Sequence, residues 1–307
     1  MAHKDLDYTK IHLVHNPTAG KEEYSQREIL EFLAKGHQDV RYVSTDFPGW
    51  EKFLEEDPDL IIVAGGDGTV HKLAGVLWNE KGKKVFPPIR VLPTGTANNI
   101  ARTLGVSMEV HPEEITRKAE PVFFDIGLVK GLSQRQIFLE AAGFGLFPKL
   151  MAHREGKQDE AKTSEGELLQ ILEDLRKIVM DFPARKAEII ADTTEIKGEF
   201  LLVELMNIRS IGPNLEFAPS AEPGDGHFDL VMIPEDGRDH LVKYLTQRID
   251  GKEGIEELTS VIRSRKVKKV EMEWEGKEIH IDDDLLPELK GKKIKLEMAP
   301  GALRFLK

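Results

Sequence analysis

The apolar run Leu60-Ile61-Ile62-Val63-Ala64 passes directly into Gly65-Gly66-Asp67-Gly68-Thr69 and then into an amphipathic stretch from Val70 to Leu77. A buried strand that enters a helix through glycines belongs to a parallel α/β sheet. It puts free backbone N–H groups and the positive end of the helix dipole at the carboxyl edge of the strand, where an anion fits. Gly65, Gly66 and Gly68 let the backbone approach a ligand and take positive φ, while Asp67 adds a carboxylate and Thr69 a hydroxyl. A carboxylate beside bound phosphate is repulsive unless a cation lies between them, so Asp67 points to bound Mg²⁺ or to work on a proton. The plain alternative is a glycine-rich turn in which Asp67 caps the helix.

Three more apolar runs, Ile11–Val14, Val40–Val43 and Ile89–Leu92, share the first 126 residues with that strand. Between the runs lie helical patterns around Arg27–Leu33, Trp50–Leu54, Val70–Leu77 and Asn98–Leu104. This alternation predicts a doubly wound parallel sheet, in which ligands bind outside the carboxyl ends of the strands. After residue 126 strands follow one another with few helices between: Ile137–Ala142, Ala187–Ala191, Phe200–Met206, Phe228–Ile233, Val267–Trp274, Lys277–Ile281 and Lys292–Met298. The alternation Val270/Met272/Trp274, Ile279/Ile281 and Ile294/Leu296/Met298 predicts a half-buried antiparallel sheet. Glu165 to Met180 reads as an amphipathic packing helix through Leu168, Leu169, Leu172, Leu175, Ile178 and Val179, and Glu155–Glu167 as a polar, mobile segment. The fold class expected is an α/β nucleotide-binding domain followed by a β-rich, sandwich-like antiparallel domain.

Composition narrows the partners. With 307 residues, 40% of them hydrophobic and 32% charged, the chain has ordinary soluble composition and room for two domains. A formal charge of −11 argues against nucleic-acid binding and against strong general attraction to anionic membranes. The densest basic patch, Arg263, Arg265, Lys266, Lys268 and Lys269, flanks alternating strand residues and reads as a solvated strand face. The absence of cysteine rules out disulfides, thiolate metal sites and a cysteine nucleophile, and fits the reducing cytosol. The N-terminus is polar without an h-region, and no apolar run approaches the roughly 20 residues needed to span a bilayer. A lipid would therefore be reached from the membrane surface or as a soluble molecule.

A second loop, Pro93-Thr94-Gly95-Thr96-Ala97-Asn98-Asn99, again joins an apolar run to a helical pattern, and His15-Asn16-Pro17-Thr18-Ala19-Gly20-Lys21 adds a third strand-end turn. In this order the three loops resemble the diacylglycerol kinase catalytic-domain family, which includes bacterial lipid kinases and sphingosine kinases. The resemblance continues through Phe124-Asp125-Ile126-Gly127, Ala142-Gly143-Phe144-Gly145, Asn207, Ala218-Pro219, Asp225-Gly226 and Phe228-Asp229 to Ile281-Asp282-Asp283-Asp284. Gly-Gly-Asp-Gly-Thr also occurs in NAD kinases, but the Gly-Thr-x-Asn loop is similar to the lipid-kinase branch.

The resemblance implies an ATP- and Mg²⁺-dependent lipid kinase with its active site in a cleft between a nucleotide-binding domain, residues 1–126 with 300–307 returning to it, and a substrate domain, residues 127–299. By motif, it implies Asn16, Thr45, Gly65, Gly66, Asp67, Gly68, Thr69, Gly95, Thr96 and Asn98 as the nucleotide-binding set. It implies Glu222, Asp225 and His227 as the positions of a structural Mg²⁺, and Asp284 as the base that takes the lipid hydroxyl's proton. On this reading Asp67, with Mg²⁺, organises the phosphates, and Asp67→Ala would abolish turnover and leave the fold intact.

The sequence makes four departures from the family pattern. His71-Lys72 stands for Asn-Glu, Asn99 for a second Asp, Phe147 near a usual Asp, and Asp282-Asp283-Asp284 for Asp-Gly-Glu. The last change shortens the base by one methylene, and a displacement near 1 Å can cost about 100-fold in rate. Two alternatives therefore stand beside the kinase: a catalytically weak nucleotide-binding regulator, and a kinase of a soluble alcohol or of NAD. Phe144, Phe147, Leu150 and Met151 are candidate pocket residues, and a homodimer through an exposed sheet edge stays open.

Overall fold

The computed structural model describes residues 8–19, 26–34, 39–79, 86–109, 115, 119–132, 136–156, 163–252, 256–286 and 292–307. Gly20, Lys21 and residues 157–162 of the segment read as mobile lie outside the described residues. The chain divides into two compact units, Met1–Phe124 with Gly301–Lys307, and Asp125–Pro300.

In the first unit β1 (Lys10–His15) pairs in parallel with β2 (Asp39–Ser44) and with β3 (Leu60–Gly65), and β3 pairs in parallel with β4 (Ile89–Pro93). Every residue of β3 and β4 is buried, which is why both read as continuous apolar runs rather than alternating ones. Ile11, Leu13, Leu60, Ile62, Ala64 and Leu92 form one core with Ile29 and Leu33 of the helix Gln26–Ala34. Trp50–Glu56 is a 3₁₀ helix rather than an α-helix; it is bracketed by Gly49 and Asp57, both at positive φ, and buries Phe53 and Leu54.

Entering the second unit, β5 (Pro121–Lys130) pairs with β6 (Gln136–Phe138). A sheet follows from β7 (Ala141–Gly145), β8 (Arg185–Ala191) and β9 (Thr194–Met206); β10 (Ser210–Ile211) and β11 (Leu215–Glu216) form a separate small ribbon. Then come β12 (Phe228–Pro234), β13 (Arg263–Val267), β14 (Lys269–Trp274), β15 (Ile279–Ile281), β16 (Asp284–Leu286) and β17 (Ile294–Leu306). Within this unit the order is β16-β15-β7-β9-β8-β14-β17, all antiparallel, with β12 on β9 and β13 on β12. The far end of β17 belongs to the first unit, where Phe305 and Leu306 pair in parallel with Ile89 and Arg90 of β4.

One face carries a core of Phe138, Phe144, Phe200, Phe228, Met272 and Trp274. The other is covered by the helices Leu146–Arg154, Ser164–Asp181 and Arg238–Ile249 through Leu150, Leu175, Val179, Leu241 and Tyr244. The helix Ser164–Asp181 matches the amphipathic pattern and is capped by Thr163, whose hydroxyl accepts the Gly166 N–H.

Two expected strands are interrupted. Ile137–Ala142 breaks at Leu139-Glu140, and Val267–Trp274 breaks at Lys268. Each break is held by a distant carboxylate: Asp282 accepts the N–H groups of Leu139, Glu140 and Ala141, and Asp192 accepts those of Lys268 and Lys269. Nor is β15 half-buried, because His280 is as buried as Ile279 and Ile281 on either side. Of the four pocket candidates, Phe144, Phe147 and Leu150 are core residues and Met151 is half-buried.

Candidate active site

In the first unit one residue, Gly66, separates the end of β3 from the helix Asp67–Asn79. The Gly66 carbonyl accepts the N–H groups of Thr69 and Val70, so the strand turns into a helix within a single peptide. Gly65 must lack a side chain, since a Cβ there would meet Thr69 Oγ1 at 2.4 Å. Asn16 sits at the end of β1, its N–H on the Ala64 carbonyl and its side-chain amide donating to Thr69 Oγ1 at 3.2 Å. Thr45 follows β2 and donates its N–H to the His15 carbonyl. These strand ends thus gather Asn16, Thr45 and Thr69 at one edge.

The loop after β4 is drawn onto the glycine turn. Thr94 N–H bonds the Gly65 carbonyl, and Asn98, at φ 54°, closes the loop by accepting from Gly95 N–H and donating to the Gly95 carbonyl. Asp67 completes the junction. Its two carboxylate oxygens accept the N–H groups of Asn99 and Ile100, each at 2.9 Å, at the start of the helix Asn99–Leu104. Asp67 is therefore a buried cap for the neighbouring helix. Asn99, where the family pattern carries an acid, gives its backbone N–H to Asp67 and is itself buried. Thr96 is half-buried in the same loop, and Lys72 is exposed. Thr94 went unnoticed in the sequence; its buried hydroxyl has no hydrogen-bond partner among the described residues and offers a polar group between the two glycine loops.

In the second unit the Asp282-Asp283-Asp284 turn links β15 to β16. Asp282, at φ 47°, is buried and tied to the Leu139–Ala141 backbone, while Asp284 is exposed at the first position of β16. Beneath the turn His280 lies with Nδ1 3.0 Å from the Asp282 carbonyl and Nε2 2.8 Å from Glu204 Oε2. Both side chains are buried, and Gly143 leaves room for them, since a Cβ there would meet Glu204 Oε2 at 2.0 Å. Burial alone would lower His280, but the Glu204 carboxylate, helped by Asp282, more than reverses it and holds the imidazole above its ordinary value; burial raises Glu204. The two groups are coupled, so their titration belongs to the pair rather than to either residue. Phe147, near the position where the family pattern carries an Asp, packs its ring on His280 and on Phe217 and belongs to this core. No local pattern announced Glu204 and His280, which lie 76 residues apart.

The Glu222, Asp225 and His227 positions form one turn, but their donors do not suit a divalent cation. The Glu222 carbonyl already accepts the N–H groups of Gly224 and Asp225. Asp225 Oδ1 accepts His227 N–H, and Oδ2 lies 2.6 Å from the Lys266 ammonium. The His227 ring turns to the Asp225 carbonyl, with Nδ1 3.0 Å away. Among the described residues no group of three or more His, Asp and Glu side chains is arranged to hold a metal. Lys266, read as part of a solvated strand face, is instead committed to this turn.

Residues 10–127 match the diacylglycerol kinase catalytic domain, and residues 152–307 match the YegS C-terminal NAD kinase beta sandwich-like domain. The chain belongs to the diacylglycerol kinase catalytic-domain family. A diacylglycerol kinase of Bacillus subtilis (strain 168) is 28% identical over 256 residues, covering 79% of each chain. A protein named "Probable lipid kinase YegS-like" from Pseudomonas aeruginosa (strain UCBPP-PA14) is 29% identical, covering 97% of this chain and 94% of its own. The fold is shared with a crystal structure of a diacylglycerol kinase from Bacillus anthracis (TM-score 0.69, 23% identity, 97% of both chains). It extends to yeast NADH kinase in complex with NADH (TM-score 0.51, 11% identity, 98% of this chain and 83% of that one). Membership in this kinase family makes the chain a phosphotransferase whose expected donor is a nucleotide. Among the described residues no helix is long and apolar enough to cross a membrane.

Proposed function

We propose that this family member is a cytosolic ATP-dependent lipid kinase, transferring the γ-phosphoryl group to a hydroxyl of diacylglycerol or a related lipid alcohol at the membrane surface. The observation that carries the reading is the junction of two glycine loops at the carboxyl ends of adjacent parallel strands, beside the start of a 13-residue helix. Backbone donors at such a place suit a polyphosphate, and phosphoryl transfer asks mainly for positioning and charge neutralisation. Asn16, Thr45, Thr69, Thr94 and Thr96 supply the polar side chains of this edge. The donor is ATP as its Mg²⁺ complex, a substrate whose metal is assigned here to no protein ligand. Asp284 is the accepting base: it is exposed, and the turn that carries it is fixed by Asp282 and His280.

The likeness to yeast NADH kinase supports a second reading, phosphorylation of a soluble alcohol or of NAD. One experiment separates the two readings and the weak regulator. ATP consumption is followed with diacylglycerol, monoacylglycerol, sphingosine or phosphatidylglycerol in mixed micelles, and with NAD and soluble alcohols. Turnover that depends on a lipid acceptor is the expected result. Turnover on soluble acceptors alone overturns the lipid assignment, and ATP binding without any turnover transfers the reading to a regulator.

A further inference from the structure

We propose that the Lys266 ammonium is the resident cation of the turn around Ser220–Asp229, standing where a divalent metal would otherwise bind, so that this unit folds without a metal. The proposal is independent of which acceptor the enzyme phosphorylates.

Lys266 is delivered by the sheet. β13 pairs antiparallel with β12, and Lys266 lies directly across from Asp229 in that register. Its Nζ then meets three acceptors: Asp225 Oδ2 at 2.6 Å, Asp229 Oδ2 at 3.4 Å and the Ser220 carbonyl at 3.4 Å. An ammonium has three protons to give, and these three oxygens match them. The need for a cation here is physical. The Asp229 side chain is 3% exposed and that of Asp225 23%, and a carboxylate buried to this extent without a positive partner is strongly unfavourable.

The rest of the turn closes around the lysine. Asp125 Oδ2 accepts Gly226 N–H, Asp225 Oδ1 accepts His227 N–H, and the Glu222 carbonyl is taken by two N–H groups. A divalent ion placed on Asp225 and Asp229 would share its oxygens with the ammonium and be repelled by it. Burial raises Asp229, and Lys266 offsets part of that rise, as expected of a built-in counter-charge.

The test is thermal unfolding of the full chain without nucleotide, in EDTA and in millimolar Mg²⁺, Ca²⁺ or Mn²⁺, with metal content measured after dialysis. The wild type is expected to carry no bound metal and to keep its Tm within about 1 °C across these conditions, less than the shift from 1 kcal/mol in a chain of this size. Lys266→Met is expected to unfold several degrees lower in EDTA and to recover part of that loss with at least one divalent ion, while Lys266→Arg stays metal-independent. One bound metal per wild-type chain, or a wild-type Tm that EDTA lowers and Mg²⁺ restores, overturns the proposal. So does a Lys266→Met protein as stable as wild type in EDTA, or one that is destabilised and answers to none of the three ions. If Lys266→Met does not fold, the wild-type metal content and Tm decide alone.

Discussion

Gly66 and Gly95 touch backbone to backbone: a Cβ placed on Gly95 would lie 2.3 Å from the Gly66 Cα and 2.9 Å from its nitrogen. The two loops can meet this closely only because Gly95 has no side chain; a Cβ on Gly66 would make a tight but milder contact, 3.0 Å from the Gly95 Cα. Gly95→Ala is expected to force them apart, at a cost of about 1–3 kcal/mol in stability. Nucleotide affinity should fall on the order of tenfold or more, since 1.4 kcal/mol of lost contact is a factor of ten. Gly75 lies in the adjoining helix with nothing within 4 Å of its Cβ position, so Gly75→Ala is the control. That change should raise stability by about 0.5–1 kcal/mol and leave affinity unchanged. Calorimetric ATP titration and Tm on both variants check the contrast.

Asp67 revises a sequence expectation. Its carboxylate holds the Asn99 and Ile100 N–H groups, so removing it leaves two buried donors without that acceptor. Asp67→Ala should therefore lose about 1–2 kcal/mol, the usual worth of a helix cap, along with activity. Loss of turnover in this variant would not by itself identify a catalytic carboxylate. Tm and ATP affinity measured together decide: a variant with unchanged Tm and no turnover would return Asp67 to a purely chemical role.

The Glu204–His280 pair sets a pH dependence whose sign is fixed by geometry. Both groups hold a proton more tightly in the folded chain, His280 above its ordinary 6.5 because of Glu204, and Glu204 above its ordinary 4.5 because of burial. The stability they contribute is present at low pH and is lost as pH rises through their folded values, leaving a buried carboxylate without its cation. In Glu204→Gln the charge that does most to hold His280 up is gone, while burial still lowers it and Asp282 still raises it, so the fall of stability with pH around its ordinary value should flatten. Urea unfolding across about pH 5 to 9 measures the slope, and parallel curves for the two proteins would remove the pair from the account.

What the sequence made legible was local. The Leu60–Thr69 strand and turn, the later Gly95 loop and the helix Ser164–Asp181 each carry their signals in neighbouring residues, the longest being the 18-residue helix with its Thr163 cap. The breaks at Leu139-Glu140 and Lys268 were hidden because the carboxylates that cause them lie 141 to 143 and 76 to 77 residues away. Lys266 illustrates the same limit. Its neighbours in sequence are basic and solvated, and only the pairing of β13 with β12 brings it to Asp229. His280 sits in an alternating apolar strand that promised one wet face, and its partner Glu204 covers that face from another strand.

Asp284 carries the proposed proton transfer, and its position makes the test clean. It is exposed at the start of β16, where its backbone pairs with Ile281, and the side-chain bonds that shape the turn come from Asp282 and His280. Asp284→Asn should leave Tm and ATP affinity unchanged and lower kcat about 100-fold or more, the usual worth of a general base. Asp284→Glu lengthens the side chain by one methylene, toward the residue type the family carries, and should retain turnover. If the shortened acid is what limits this enzyme, the Glu variant will be faster than the wild type. If Asp284→Asn keeps its kcat on the lipid acceptor, proton transfer belongs to another residue and the exposed carboxylate has no part in the chemistry.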